Sequence, residues 1–322
     1  MSEIEFPTLS VIVPALNAAS TIENCINSVF EQKYPKVFDV TVALGPSSDN
    51  TSEVLQRLSN KYSQLQTIQN PAGTTPAALN LAIKSCSGDV IARVDTQSSL
   101  PENYLIDSVE TLLRTNAANV GGVQSPIGEN KTQRIIALAM QSPFGAGPAK
   151  FRGHGQEGPT DTVYLGVFKR EILEAVGGFD ESFIRNQDYE LNWRLRKEGH
   201  LIWFNPKIVV EYLPRPTLKK LSNQYFQYGA WKRYMLLRNP KSLKLRQLAS
   251  PTLVVSLIIS FTALFFKIYW ASFLPISYLA LLAIAALKEK PSLCAKDYFR
   301  LILAFATMHL SWGIGFIAGR AK

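Results

Sequence analysis

No aspartate or glutamate occurs between Glu211 and Glu289. Within residues 212–250 stand Arg215, Lys219, Lys220, Lys232, Arg233, Arg238, Lys241, Lys244 and Arg246, a set that equals the whole formal excess of +9. The charge is therefore one basic segment, and it leads directly into the apolar run "PTLVVSLIISFTALFF" (251–266). A cationic stretch abutting an apolar one suits the anionic cytoplasmic face of a membrane, and no nucleic-acid partner is expected. Cysteine is scarce as well. Cys25, Cys86 and Cys294 lie far apart with no C-x-x-C spacing, which argues against a disulfide framework or a cysteine zinc site and fits a reducing compartment. The opening "MSEIEFPTLS" is acidic and lacks an apolar h-region, so no cleaved secretion signal is expected before the first strand.

Several catalytic signatures are missing too. The turn after the first strand, in "SVIVPALN", lacks the G-x-G-x-x-G of a dinucleotide fold, which counts against a dehydrogenase. There is no G-x-S-x-G elbow, Walker loop or H-E-x-x-H, and His154, His200 and His309 form no triad with a serine. These histidines read as surface or structural residues.

What is present is a long, core-forming chain: 322 residues with 47% hydrophobic composition, enough for one large domain or two smaller ones. Up to about residue 123 short apolar runs alternate with amphipathic stretches. The spacing predicts strands at 9–14, 39–44, 65–69, 89–94 and 118–123, with helices at 21–32, 51–62, 75–85 and 103–113 between them. That repetition argues for a mostly parallel α/β sheet with helices on both faces. Residues 121–162 are less regular, and the Gly- and Pro-rich run "PFGAGPAKFRGHGQEGPTD" reads either as a mobile loop near a site or as a surface connection. A strand at 162–168, a helix from Arg170, the turn "GGFDESF", a helix at 187–199 and a pair of strands, "LIWFNP" and "KIVVEYL", follow.

Three apolar stretches, 253–266, 273–287 and 301–318, stand near the lower edge of the roughly 17–25 residues that span a bilayer. The positive-inside rule puts both 212–250 and 288–300 in the cytoplasm, so the first two spans form a hairpin and a third follows. A helical core domain is the alternative.

In α/β sheets of this kind ligands bind beyond the carboxyl ends of the strands. Asp95 ends the fourth strand in "DVIARVDTQSS"; it is either a turn former or a hard-oxygen ligand that, with the Gln97 side-chain carbonyl, would hold a divalent cation on a diphosphate. In "RNQDYELNWRLRKEG" Asp188 and Glu190 occupy the first turn of a helix. Acids there complement the helix dipole, which accounts for Glu190, whereas Asp188 leaves a Gly-rich turn and could face a cleft as a general base. Asp49 reads as an N-cap with reach to a nucleotide. In "QYFQYGAWKRY" Lys232 or Arg233 could neutralise a diphosphate leaving group, while most neighbouring cations face phospholipid.

Taken together these segments resemble the family 2 inverting glycosyltransferases with the GT-A (nucleotide-diphospho-sugar transferase) fold. "LSVIVPALNAASTIENCINSVFEQ" is similar to that family's first strand and helix, "VALGPSSDNT" to its second strand and turn, and "NPAGTTPAALNLAIKSCSGDVIARVDTQSSLPENYL" to the stretch holding its metal-binding D-x-D element. "VYLGVFKREILEAVGGFDESFIRNQDYELNWRLRKEGHLIWF" looks like its acceptor-side segment with the catalytic acid. With the apolar tail added, the chain looks most like the exopolysaccharide (succinoglycan-type) branch. The resemblance implies a cytoplasmic glycosyltransferase domain over 1–246, with 212–250 as its basic juxtamembrane end, and a membrane region of about three helices over 251–322.

Residue by residue it implies Asp95 and Gln97 at an Mg²⁺ or Mn²⁺, Asp188 as base, and Ala15, Asn17, Asp49, Asn80, Arg93 and Asp95 along the nucleotide-sugar donor. Two departures stand out: Ala43-Leu44 where the family usually has two acids, and Gln97 at the third position of D-x-D. The Q-x-x-R-W of processive synthases is absent, which favours transfer of single sugars. The implied partners are a nucleotide-sugar, a lipid-linked or saccharide acceptor and membrane phospholipid, and the implied process is cell-surface polysaccharide synthesis. A polyprenyl-phosphate monosugar synthase and a non-catalytic, membrane-tethered nucleotide-sugar-binding protein are the rival readings.

Overall fold

Apolar residues of the first strand fall on both of its faces. Leu9, Val11 and Val13 enter one buried layer and Ile12 the other, because successive strand side chains alternate. A strand buried on both sides belongs inside a sheet with helices above and below. The computed structural model, which describes residues 5–147, 149–153, 155–289 and 293–321, has this arrangement.

In chain order the elements are β1 (Leu9–Ala15), α1 (Ile22–Phe30), β2 (Asp39–Leu44), α2 (Thr51–Lys61), β3 (Leu65–Gln69), α3 (Thr75–Ser85), β4 (Val90–Arg93), β5 (Ser98–Ser99), α4 (Tyr104–Thr115) and β6 (Asn119–Pro126). Then come α5 (Lys131–Gln141), α6 (Pro143–Ala146), β7 (Gly158–Pro159), β8 (Tyr164–Lys169), α7 (Arg170–Ala175), α8 (Gln187–Lys197) and β9 (Ile202–Tyr212). The remainder is helical: α9 (Leu218–Arg238), α10 (Ala249–Phe265), α11 (Phe273–Glu289) and α12 (Ala295–Ala318). The chain divides into two compact units, Met1–Ser125 with Ala149–Tyr212, and Pro126–Pro148 with Leu213–Lys322.

The first unit is built on one sheet in the order β3-β2-β1-β4-β8-β6-β9-β5, with β7 beside β9. Strands β1 to β4 pair in parallel, whereas β8 runs antiparallel to both β4 and β6. Helices α1, α2 and α4 cover one face and α3, α7 and α8 the other. The carboxyl ends of β2, β1 and β4 are thus neighbours, and the loops after them form one rim. Beyond that rim no Cβ fits at Gly122, where the Ile208 carbonyl lies against the backbone, which accounts for the glycine pair in β6.

Two stretches differ from the sequence-based expectation. The segment read as irregular contains α5, opened by a reciprocal cap in which the Asn130 side chain accepts from the Gln133 amide and the Gln133 side chain accepts from the Asn130 amide. The two strands expected around Asn205-Pro206 are one, β9. Burial shifts phase there, with Phe204 and Asn205 both buried, and the Asn205 side chain accepts the Lys207 amide across the proline.

The second unit contains three helical segments long and apolar enough to cross a membrane: Leu245–Phe265, Tyr269–Glu289 and Ala295–Ala318. Ile258, Ile259, Phe265, Phe273 and Ile276 are among the many large apolar side chains they leave exposed. Between α9 and α12, Gly229 lies against the Trp312 carbonyl and Gly315 against that of Phe226, so neither position admits a Cβ. At its start α12 is polar: Asp297 accepts from Arg300 at 3.0 Å and pairs with Lys131 at 3.2 Å.

Candidate active site

Strand β4 carries a buried cation to the rim of the sheet. Val90, Ile91 and Ala92 are buried in β4, and Arg93, its last residue, is only 4% exposed. A guanidinium out of water needs counter-charge, and two carboxylates supply it. Its Nε and Nη2 donate to Asp95 Oδ1 at 3.1 and 2.9 Å, and its Nη1 donates to Asp188 Oδ1. The guanidinium also sits over the Phe179 ring, 5.9 Å from its centroid. Both acids remain open to solvent on their outer sides, with side-chain exposures of 33% for Asp95 and 42% for Asp188.

The loop after Asp95 is held from below. Ser98 donates its amide to the Asp95 carbonyl at 2.9 Å, and its hydroxyl lies 2.7 Å from the Tyr164 hydroxyl. Burial pushes the Tyr164 phenol and the Cys25 thiol far up, with the Asp95 charge adding to both, so each stays neutral beneath the carboxylate.

Asp188 stands in the first turn of α8, after Asn186 in the left-handed region at φ 60°. The "GGFDESF" turn before it is pinned from two sides. Arg194 donates to the Gly178 carbonyl at 2.7 Å and to that of Val176, while pairing with the buried Glu190 at 2.6 and 2.7 Å. The sequence assigned Glu190 to the helix dipole; in the structure it pairs with Arg194, which holds this turn. From α3, Asn80 donates to the Phe179 carbonyl at 2.8 Å and to Glu181 at 3.0 Å, and accepts the Phe179 amide at 2.9 Å. Asn80 therefore fastens the ring that underlies Arg93.

The loops after β1 and β2 interlock. Asn17, at φ 49°, accepts the Ser48 amide at 2.8 Å, and its own amide donates to the Ser47 hydroxyl at 3.0 Å. Asp49 is not the cap itself. Asn50 holds that position, while the Asp49 carboxylate accepts from the Ala19 amide at 3.0 Å and from the Thr51 amide and hydroxyl. The Thr51 hydroxyl chiefly, and the backbone donors with it, hold the Asp49 carboxyl below the usual carboxylate range despite opposing desolvation. Ala15 accepts the Gly45 amide at 2.8 Å, and Ala43 and Leu44 are buried apolar residues at the end of β2.

Arg93, Asp95 and Asp188 thus come together directly, Asn80 joins them through Phe179, and Asn17 and Asp49 form a separate loop lock. Lys232 and Arg233 belong to the second unit, where buried Lys232 donates to the Ser242 carbonyl at 3.2 Å and Arg233 to that of Ile317 at 2.8 Å. His309, also there, lies 3.1 Å from the Tyr278 hydroxyl and 2.9 Å from the Phe144 carbonyl; His154 falls outside the described residues.

Among the described residues no three His, Cys, Asp or Glu side chains are grouped to hold a metal by themselves. Asp95 and Gln97 nevertheless fit a hard cation that brings further oxygens with it. Arg93 takes only Oδ1 of Asp95, and among the described residues neither Oδ2 nor the half-buried Gln97 carboxamide has a hydrogen-bond partner. Tyr164, Ser98, Phe179 and the Glu190–Arg194 pair were missed by sequence reasoning. The i,i+4 spacing of the last pair was a usable signal; the others meet only through the sheet.

The model of the family described as glycosyl transferase family 2 matches residues 10–177. The succinoglycan biosynthesis protein ExoA of Rhizobium meliloti is 31% identical over 98% of this chain and 96% of its own. A dolichyl N-acetyl-alpha-D-glucosaminyl phosphate 3-beta-D-2,3-diacetamido-2,3-dideoxy-beta-D-glucuronosyltransferase of Methanococcus voltae is 30% identical over 71% of this chain and 74% of its own. In fold, the chain matches a Pyrobaculum calidifontis mannosyltransferase solved with GDP-Man and Mn²⁺, at a TM-score of 0.60 and 20% identity, over 94% of this chain and 87% of the other.

Proposed function

The chain belongs to glycosyl transferase family 2, and from that premise we propose a membrane-anchored, inverting, hexosyltransferase-like enzyme that moves a sugar from a nucleotide-sugar to a hydroxyl of a lipid-linked saccharide. The observation that carries the reading is the pair of solvent-facing carboxylates, Asp95 and Asp188, set on one buried guanidinium at the carboxyl end of β4. In this reading residues 1–246 are the catalytic part, on the cytoplasmic side, and 251–322 the multi-pass membrane part. The exposed cations Lys219, Lys220, Arg238, Lys241 and Arg246 meet anionic phospholipid.

The donor lies across the ends of β1, β2 and β4. A divalent cation, Mg²⁺ or Mn²⁺, held by Asp95 and Gln97, would supply charge neutralisation for the departing diphosphate. Asp188 accepts the proton of the acceptor hydroxyl as its oxygen attacks the anomeric carbon from the face opposite the diphosphate. The C–O bond to the nucleotide breaks on the other side, so configuration inverts. Ala43-Leu44 leave the base without a carboxylate contact at the end of β2. The acceptor class rests on the two relatives, one named for succinoglycan biosynthesis and the other for a dolichyl phosphate-linked sugar.

Purified protein in detergent, offered radiolabelled nucleotide-sugars and a lipid extract, should transfer label to the lipid phase. Asp188→Asn should lower kcat by about 10²–10⁴-fold, the usual contribution of a general base, and leave donor binding intact. Full transfer by Asp188→Asn would overturn the assignment of the base. Donor binding by calorimetry with no transfer to any acceptor would favour a binding protein.

A further inference from the structure

We infer that Arg93 is a positioning residue, which holds the metal-side carboxylate Asp95 and the acceptor-side carboxylate Asp188 in register rather than contacting the donor; the inference rests on the functional reading above. Each of the three guanidinium nitrogens donates to a carboxylate. Nε and Nη2 face Asp95 Oδ1, Nη1 faces Asp188 Oδ1, and Phe179 lies against its plane. At 4% exposure, little of it is left to meet a substrate.

The geometry has a reason. Asp95 follows a parallel strand, whereas Asp188 lies in the first turn of a helix 95 residues after Arg93 in the chain. A planar fork can face two carboxylates at once; an ammonium point charge cannot fix both directions. Each acid also keeps an outer oxygen free of Arg93, one for a cation and one for a proton. Phe179 supports the fork from below and is itself fastened by Asn80. An error of about 1 Å between leaving-group and nucleophile sites can lower a rate by about 10²-fold, so a residue touching neither substrate can govern kcat.

The test compares Arg93→Met, Arg93→Lys and the double variant Arg93→Met/Asp188→Asn with wild type. The readouts are kcat, donor KM, the melting temperature and binding of Mn²⁺ alone by electron paramagnetic resonance. Arg93→Met should lower kcat about 100-fold with donor KM within about threefold, and Arg93→Lys should recover less than tenfold of the loss. Mn²⁺ should bind the Met variant at least as tightly as wild type, because a positive charge beside Asp95 is gone. In the Asp188→Asn background, Arg93→Met should lower kcat less than threefold further.

Multiplicative losses in the double variant would overturn the inference. So would a raised donor KM at unchanged kcat, which marks a donor contact, or a lowered melting temperature with unchanged kcat per folded molecule, which marks a purely structural ion pair. If the Met variant does not fold, Arg93→Lys carries the same comparisons. Failure of the functional reading looks different: Asp188→Asn alone would keep full transfer.

Discussion

The carboxylate of Asp49 is exposed, yet it ties the loop after β1 to the loop after β2 through Ala19 and Thr51. Because the Thr51 hydroxyl holds its pKa low in the folded chain, the carboxylate form favours folding. That contribution is complete above the unfolded value of about 4 and disappears as pH falls through the lower folded value. Asp49→Asn should therefore lower the melting temperature of the detergent-solubilised protein at pH 7, and the gap from wild type should shrink at pH 3. An equal gap at both pH values would mean that shape, not charge, does the tying. This role was not legible in "GPSSDNT", where Asp49 reads as a cap, since its partner Ala19 lies on another loop. Arg93 shows the same limit more strongly: its motif neighbour Asp95 is obvious, but its second partner Asp188 is 95 residues away.

Parallel β1 to β4 and the helices between them were readable because each strand is a short apolar run bounded by turn residues, and each helix has its own apolar stripe. Helix α8 ended where Gly199, at φ 87°, allows the left-handed closing turn. What escaped were elements whose signal is carried by polar residues. Helix α5 opens with "NKTQ", whose Asn130 and Gln133 form a reciprocal cap, and that spacing was a usable clue inside a stretch dominated by Gly and Pro. The antiparallel half of the sheet is non-local: β8 joins β4 to β6 only after the chain has returned, so pairing order had no local signature. Asn80 now distinguishes two accounts of one helix. If it fastens α3 to the "GGFDESF" turn, Asn80→Ala should speed hydrogen exchange across residues 177–183 by about tenfold or more, the loss of two or three hydrogen bonds, while donor affinity stays within about twofold. Weakened donor binding with unchanged exchange would return Asn80 to the donor site, where the resemblance put it.

Three apolar helices and a basic stretch between residues 212 and 250 together predict a topology that can be checked with a native side chain. If 212–250 lies on the cytoplasmic side, segments Leu245–Phe265 and Tyr269–Glu289 cross out and back, so the connection before α12 returns to that side. Cys294 lies in this connection and is exposed, whereas Cys25 is fully buried with its thiol pushed up by burial, and Cys86 is half-buried and accepts from Arg170 at 3.1 Å. A membrane-impermeant maleimide should therefore label Cys294 in inside-out vesicles and not in right-side-out cells. Cys25 should react only after denaturation, because the thiolate is the reacting form. Labelling of Cys294 from the outer side would require an odd number of crossings before α12. The basic segment and the Lys288–Arg300 loop would then lie on opposite sides, against the charge bias that both carry. A single mapped cysteine thus decides on which side of the membrane the connection before α12 lies.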